Sequence, residues 1–189
     1  MKDNKMLVLL SALAITLIPI ACTLFVGGPE YPAEQIAIST ESVGQLNQQL
    51  EIAQTAAVEN GVLLLTINEN QITSLLAIKL SELSDPFIQN PQVFFRNGEI
   101  QVFGRASQGN LEANVRIVLT ASLNTSGKIV IEVSSTDFGP FPAPQELNKT
   151  ISALIDQAFT GAFGPVITGL RLEKINIENG TLTISGRVK

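Results

Sequence analysis

From Leu111 to Leu123 apolar side chains take every second position, at Leu111, Ala113, Val115, Ile117, Leu119, Ala121 and Leu123, with mostly polar neighbours between them. Period two over thirteen residues predicts a β-strand with one apolar face, longer than the usual five or six residues. Such a strand does not stay flat: its right-handed twist accumulates and it coils, as strands do in barrels and half-barrels. The chain is therefore expected to build a curved sheet with hydrocarbon on one face.

The turns set the register. Asn97-Gly98 is a two-residue hairpin signal, because both positions need positive φ. It pairs Arg96 with Glu99, Phe95 with Ile100 and Val93 with Val102, gathering the large apolar groups on one face. After the long strand, a three-residue loop Thr125-Ser126-Gly127 sets Leu123 against Ile129, Ala121 against Ile131 and Leu119 against Val133. A two-residue loop would put those isoleucines opposite polar side chains. Asn179-Gly180 pairs Ile177 with Leu182 and Ile175 with Ile184, while Leu170 and Leu172 fall out of phase with Ile175, which predicts a bulge near Glu173-Lys174.

Three helices are expected. A polar one runs from Ser39-Thr40 to Glu59, capped by Thr40 and ended by Asn60-Gly61, with Val43, Leu46, Leu50, Ile52, Ala53 and Ala57 at near-helical intervals. The apolar run Val62 to Ile67 after it is too short for a helix and reads as a buried strand. The second helix opens on Asn68, with Gln71 placed for a capping box, carries Ile72, Leu75, Leu76, Leu80 and Leu83 as one stripe, and stops at Asp85-Pro86. Between Gly139 and Pro144 three prolines make a rigid crossover. The third helix, Gln145 to about Thr160, places Leu147, Ile151, Leu154, Ile155, Ala158 and Phe159 on one side, and its stripe continues to Phe163.

The amino terminus is a block without charge from Met6 to Val26, preceded by Lys2 and Lys5. It is long enough to cross a bilayer core, which takes roughly 20 apolar residues. Three fates are open to it: a retained anchor, a cleaved signal, and a lipoprotein signal cut before Cys22, with Cys22 the lipidation candidate. The run continues past Cys22 through Val26, which a cut site does not need, and Pro19 stands where the lipoprotein pattern has an aliphatic residue, so a retained single-pass anchor is expected first, with a lipoprotein or a secreted protein as the alternatives. All three fates place the body outside the cytoplasmic membrane when the lysines stay inside. The expected organisation is an anchor or signal segment over 1–28, a linker and polar helix over 29–60, and an α+β domain over 61–189, with a long curved antiparallel sheet around a helix.

The chemistry is sparse. The chain has no histidine, which removes the commonest general base, the histidine-dependent triads and the usual zinc ligand. Its one cysteine lies in the apolar block, so the body has no disulfide and no thiolate site. Net charge is −5 with scattered basic residues, which argues against nucleic acid and against a polybasic headgroup patch. Glu99, Glu112, Glu132, Asp137 and Asp156 fall at solvent-facing positions, and no phosphate loop, nucleophile elbow or calcium loop occurs. No enzyme, cofactor or metal is expected. What remains is an apolar sheet face and an apolar helix stripe, which suit acyl chains if a groove stays open between them. The candidate ligand contacts are Phe95, Ile100, Val102, Val115, Ile117 and Leu119 from the sheet, with Leu147, Ile151, Leu154, Ile155 and Phe159 from the helix.

The order of elements also resembles a known group. The strand followed by Asn68-Glu69-Asn70-Gln71-Ile72-Thr73-Ser74-Leu75-Leu76, then Gly98 to Gly104, then Gly139-Pro140-Phe141-Pro142-Ala143-Pro144 before a helix, resembles the YpmS-like membrane-anchored bacterial proteins. Gly169 to Leu172 and Asn179 to Gly186 are similar to the end of LmeA-like mycobacterial envelope proteins. The likeness covers Val62 to Lys189, and it implies the tubular lipid-binding (TULIP) class, in which a curved sheet wraps a long helix around a lipid site. The expected function is then a membrane-tethered domain outside the cytoplasm that binds a phospholipid or similar acyl ligand. The alternative is a scaffolding module of the envelope that engages a protein partner and no lipid.

Overall fold

A computed structural model describes residues 23–143, Lys149 and 170–188. The predicted helix from Gln145 to Phe163, and with it Leu147, Ile151, Leu154, Ile155 and Phe159, lies outside the described residues apart from Lys149, as does the apolar block through Cys22. The fold is α+β: a strongly curled mixed sheet forms a half-barrel, accompanied among the described residues by two helices of full length.

Five strands form one hydrogen-bonded set. β3 (Gln89–Arg96), β4 (Glu99–Gln108) and β5 (Leu111–Leu123) are antiparallel neighbours in sequence order. The far edge of β5 is shared. β6 (Ile129–Asp137) covers it from Arg116 to Leu123, while β1 (Leu24–Phe25) covers its start, with Leu24 beside Leu111 and Phe25 beside Glu112. Three more strands, β2 (Val62–Asn68), β8 (Thr181–Val188) and β7 (Leu170–Glu178), form an antiparallel set with β8 in the middle. The turn-derived registers hold pair for pair in both β-hairpins and in the β5–β6 unit. Asn97 and Asn179 take positive φ, 56° and 52°. Asn124 N donates to Lys128 O, closing the three-residue loop, and Asn124 Oδ1 accepts from the backbone N–H groups of Ser126 and Lys128. The register of β7 shifts between Leu172 and Lys174, where the bulge was expected.

The sheet is mixed, where alternation alone suggests a wholly antiparallel one. β6 leaves the first residues of β5 uncovered, and the chain at 24–27 runs along that edge in parallel. Leu24 N donates to Asn110 O, Val26 N to Glu112 O and Asn114 N to Gly27 O, at 2.8–2.9 Å. Residues 29–36, which take in the expected linker Glu30 to Gln35, then cross the outer face of the sheet strand by strand. Asn114 Nδ2 donates to Pro29 O on β5, the Arg105 guanidinium of β4 lies 6.0 Å from the Tyr31 ring, and the Tyr31 hydroxyl donates to Asn90 O on β3. The strap ends with Ile36, whose N–H and C=O are both satisfied by the buried Gln92 amide.

α1 (Thr40–Asn60) is capped by Ser39, one residue earlier than expected, because the Ser39 hydroxyl accepts from Glu41 N and Ser42 N. Its polar composition conceals a narrow buried stripe, Leu46, Leu50, Ala53 and Ala57, at i, i+4, i+7 and i+11. Ile52 is off the stripe and exposed. β2 is buried on one face only. Leu63, Leu65 and Ile67 face the core, while Val62 and Leu64 point outward, against the expectation of a fully buried strand.

α2 (Glu69–Ser81) has the predicted capping box, with Gln71 N bonded to Asn68 Oδ1 and Asn68 N to Gln71 Oε1. It stops at Ser81, short of Asp85-Pro86. Its deepest side chains are polar: Gln71, Thr73 and Ser74 are almost wholly buried, whereas of the expected apolar stripe Leu80 is buried, Ile72, Leu75 and Leu76 are partly so, and Leu83 is exposed. The cause is the edge of β3, which among the described strands pairs with β4 alone. Thr73 Oγ1 accepts from Val93 N and donates to Val93 O, and Glu69 Oε1 accepts from Phe95 N at 2.7 Å. The polar side of the helix thus replaces a missing strand.

Candidate functional site

Pairing across β3, β4, β5 and β6 arranges the inner face in rows. Val93, Val102 and Ile117 form one, and Phe95, Ile100, Leu119 and Val133 the next. Beyond them lie Ala121 with Ile131 and Leu123 with Ile129. In the other direction the rows shrink to Gly104 with Val115 and Ala106 with Ala113. These small residues admit a covering chain: Ile88 sits over Gly104 so closely that a methyl group there would meet its Cγ2.

All six candidate residues of the sheet come together. Phe95, Ile100, Val102, Val115, Ile117 and Leu119 are each no more than 8% exposed, within one cluster that also takes in Leu63, Leu65 and Ile67 of β2, Ile177 of β7 and Leu46 of α1. They are therefore core residues, shared between the two strand sets. The five helix candidates and Cys22 lie outside the described residues.

Burial falls off along β5. Val115 is 0% exposed, Ile117 2% and Leu119 6%, whereas Ala121 and Leu123 are only partly buried, as are Ile129, Ile131 and Val133 of β6 and Ile175 of β7. This half-buried apolar strip toward the β5–β6 turn is the part of the inner face on which a ligand could lie. Sequence reasoning places its residues on the correct face but does not single them out. Alternation reports the side of a sheet and carries no information on how deeply each row is covered.

The electrostatics belong to the outer face. Arg96 pairs with Glu69 and stands 5.2 Å from the Phe94 ring, and Arg105 lies 3.8 Å from Glu112. Burial raises the Tyr31 phenol above its ordinary value, and the nearby Arg105 cation opposes that rise. Among the described residues the rows of the inner face carry no ionisable side chain, so what they present is apolar contact. Among the described residues no cluster of three or more metal-ligating side chains occurs, and no helix is long and apolar enough to cross a membrane. No family model matches the chain, and comparison with curated proteins and with solved structures gives no match either.

Proposed function

We propose that the protein is a non-enzymatic module, tethered outside the cytoplasmic membrane, that holds a phospholipid or other acyl-chain ligand against the inner face of its curled sheet. The observation that carries this reading is the gradient of burial along β5, which leaves an uncharged apolar strip half-covered at Ala121, Leu123, Ile129 and Ile131. Apolar surface left in water costs about 25 cal/mol per Å², so such a strip favours a hydrocarbon occupant. The Gln145–Phe163 stripe, expected from the sequence as the second wall of such a site, lies outside the described residues apart from Lys149.

The tether is the apolar block. With β1 starting at Leu24, residues Met6 to Thr23 are left for the bilayer, 18 in number. At ~1.5 Å per residue they make roughly 27 Å, close to a hydrocarbon core. A lipid on Cys22 would put the anchor two residues ahead of β1 and serve the same end.

Lipid extraction and mass spectrometry of the purified protein test the proposal. The wild type is expected to carry acyl lipid that an Ile131→Asp variant lacks. Ile131 is only partly buried and packs against the core, so the comparison is made on a variant whose circular dichroism spectrum and melting temperature match the wild type, and Ile131→Asn replaces it if they do not. A wild type that carries no acyl lipid rejects the reading and leaves the scaffolding alternative.

A further inference from the structure

We propose that one corner of the five-stranded set docks into the membrane surface, with Leu24, Phe25 and Leu111 seated at the boundary between lipid headgroups and acyl chains. The inference rests on the membrane tether of the proposed function and adds which part of the fold the bilayer holds. These three large apolar side chains are 62%, 54% and 38% exposed, and their backbones adjoin at one corner of the sheet. Leu24 is the register partner of Leu111, and Leu24 N donates to Asn110 O at the turn before β5.

The two faces of this corner are informative. Leu24 and Leu111 share the side of Ala113 and Val115, while Phe25, beside Glu112, is on the opposite side. An edge that exposes hydrocarbon on both faces is poorly served by a partner that packs against one of them. It is served by immersion, which is what the interfacial zone of a bilayer provides.

The occupant follows from where the chain leads. The apolar run from Met6 reaches Leu24 without a linker, and each residue spans at most ~3.6 Å, so any tether in the bilayer delivers β1 to the lipid surface. Charge raises no objection. Gln108, Gly109 and Asn110 at the turn are uncharged, and the Glu112 carboxylate lies 3.8 Å from Arg105. With no lysine cluster at the corner, zwitterionic lipid suffices.

Docking at this corner orients the molecule. β5 leads away from the bilayer, and Leu123 lies twelve residues beyond Leu111, about 40 Å along a strand at ~3.3 Å per residue. The half-buried strip is then presented to the envelope, away from the lipid surface that holds the corner.

The chain has no tryptophan, so an introduced one reports its own surroundings. Full-length Phe25→Trp, Leu111→Trp and Ser126→Trp variants are reconstituted into phosphatidylcholine vesicles, and their fold is checked by circular dichroism. The first two are expected to show blue-shifted emission, loss of intensity with brominated acyl chains and protection from iodide. Ser126→Trp, at the exposed far turn, is expected to lose intensity to iodide alone. If the protein floats with the vesicles and the two corner variants remain open to iodide, the docking is wrong although the tether stands. Protection from iodide without quenching by brominated chains means that protein covers the corner, which also overturns the proposal. A chain that does not float with the vesicles removes the tether, and the docking with it.

Discussion

Tyr31 is the only tyrosine, and the chain lacks tryptophan, so the near-ultraviolet absorbance of tyrosinate reads this one phenol. Burial raises its pKa and Arg105 opposes the rise. The folded state therefore binds the phenolic proton more tightly than the unfolded chain does. That contribution to stability is complete below the unfolded value of about 10 and is lost as pH climbs through the folded value. Absorbance titration is expected to give a midpoint above that of the urea-unfolded protein, and Arg105→Gln is expected to move it further upward. Thr73 offers a second single-residue test. Its hydroxyl is buried and serves both backbone groups of Val93. Thr73→Val leaves the Val93 N–H without its partner and is expected to cost about 1–3 kcal/mol in chemical denaturation, whereas Thr73→Ser keeps most of the stability.

Among the elements, α1 shows why composition misleads. Its sequence is dominated by Glu, Gln, Asn, Ser and Thr, yet four positions on one stripe reach the core. Leu50→Ala is expected to destabilise by about 2–5 kcal/mol through lost transfer energy and a residual cavity. Ile52→Ala, two residues away and exposed, is expected to change stability by less than ~0.5 kcal/mol. Urea unfolding of the two variants separates a packed stripe from a uniformly solvated helix. α2 carries the converse lesson. Beside Leu80 it buries Gln71, Thr73 and Ser74, because an edge strand needs donors and acceptors, and Asn68→Ala is expected to lose about 1 kcal/mol of capping energy, read in the same experiment.

At the scale of the whole molecule, the segment between the apolar block and α1 belongs to the sheet. It pairs with β5, crosses the outer face and closes on Gln92 and on Ser74, whose hydroxyl accepts from Ser39 N. A chain starting at Ser39 leaves the Asn114 N–H and the Gln92 amide without these partners and opens the start of the β5 edge. Its melting temperature is expected to fall well below that of a chain starting at Thr23, with aggregation from the freed edge. A passive linker predicts equal melting temperatures.

What the sequence determined by itself was local. Both Asn-Gly hairpins, the loop at Thr125–Gly127, the bulge after Leu172, the thirteen-residue strand and the capping box at Asn68 all follow from positive φ, period two or the geometry of one helical turn. These forces act between residues close along the chain, so the order of residue types is enough to express them. The inner-face position of the six sheet candidates came from the same alternation. Tertiary structure alone decided the parallel seat of β1, the strap over the outer face, the polar contact between α2 and β3, and the depth to which each apolar row is covered. Each of these depends on which backbone edge or apolar surface stands bare once the strands have paired. That is a property of segments distant in sequence, and no local pattern records it.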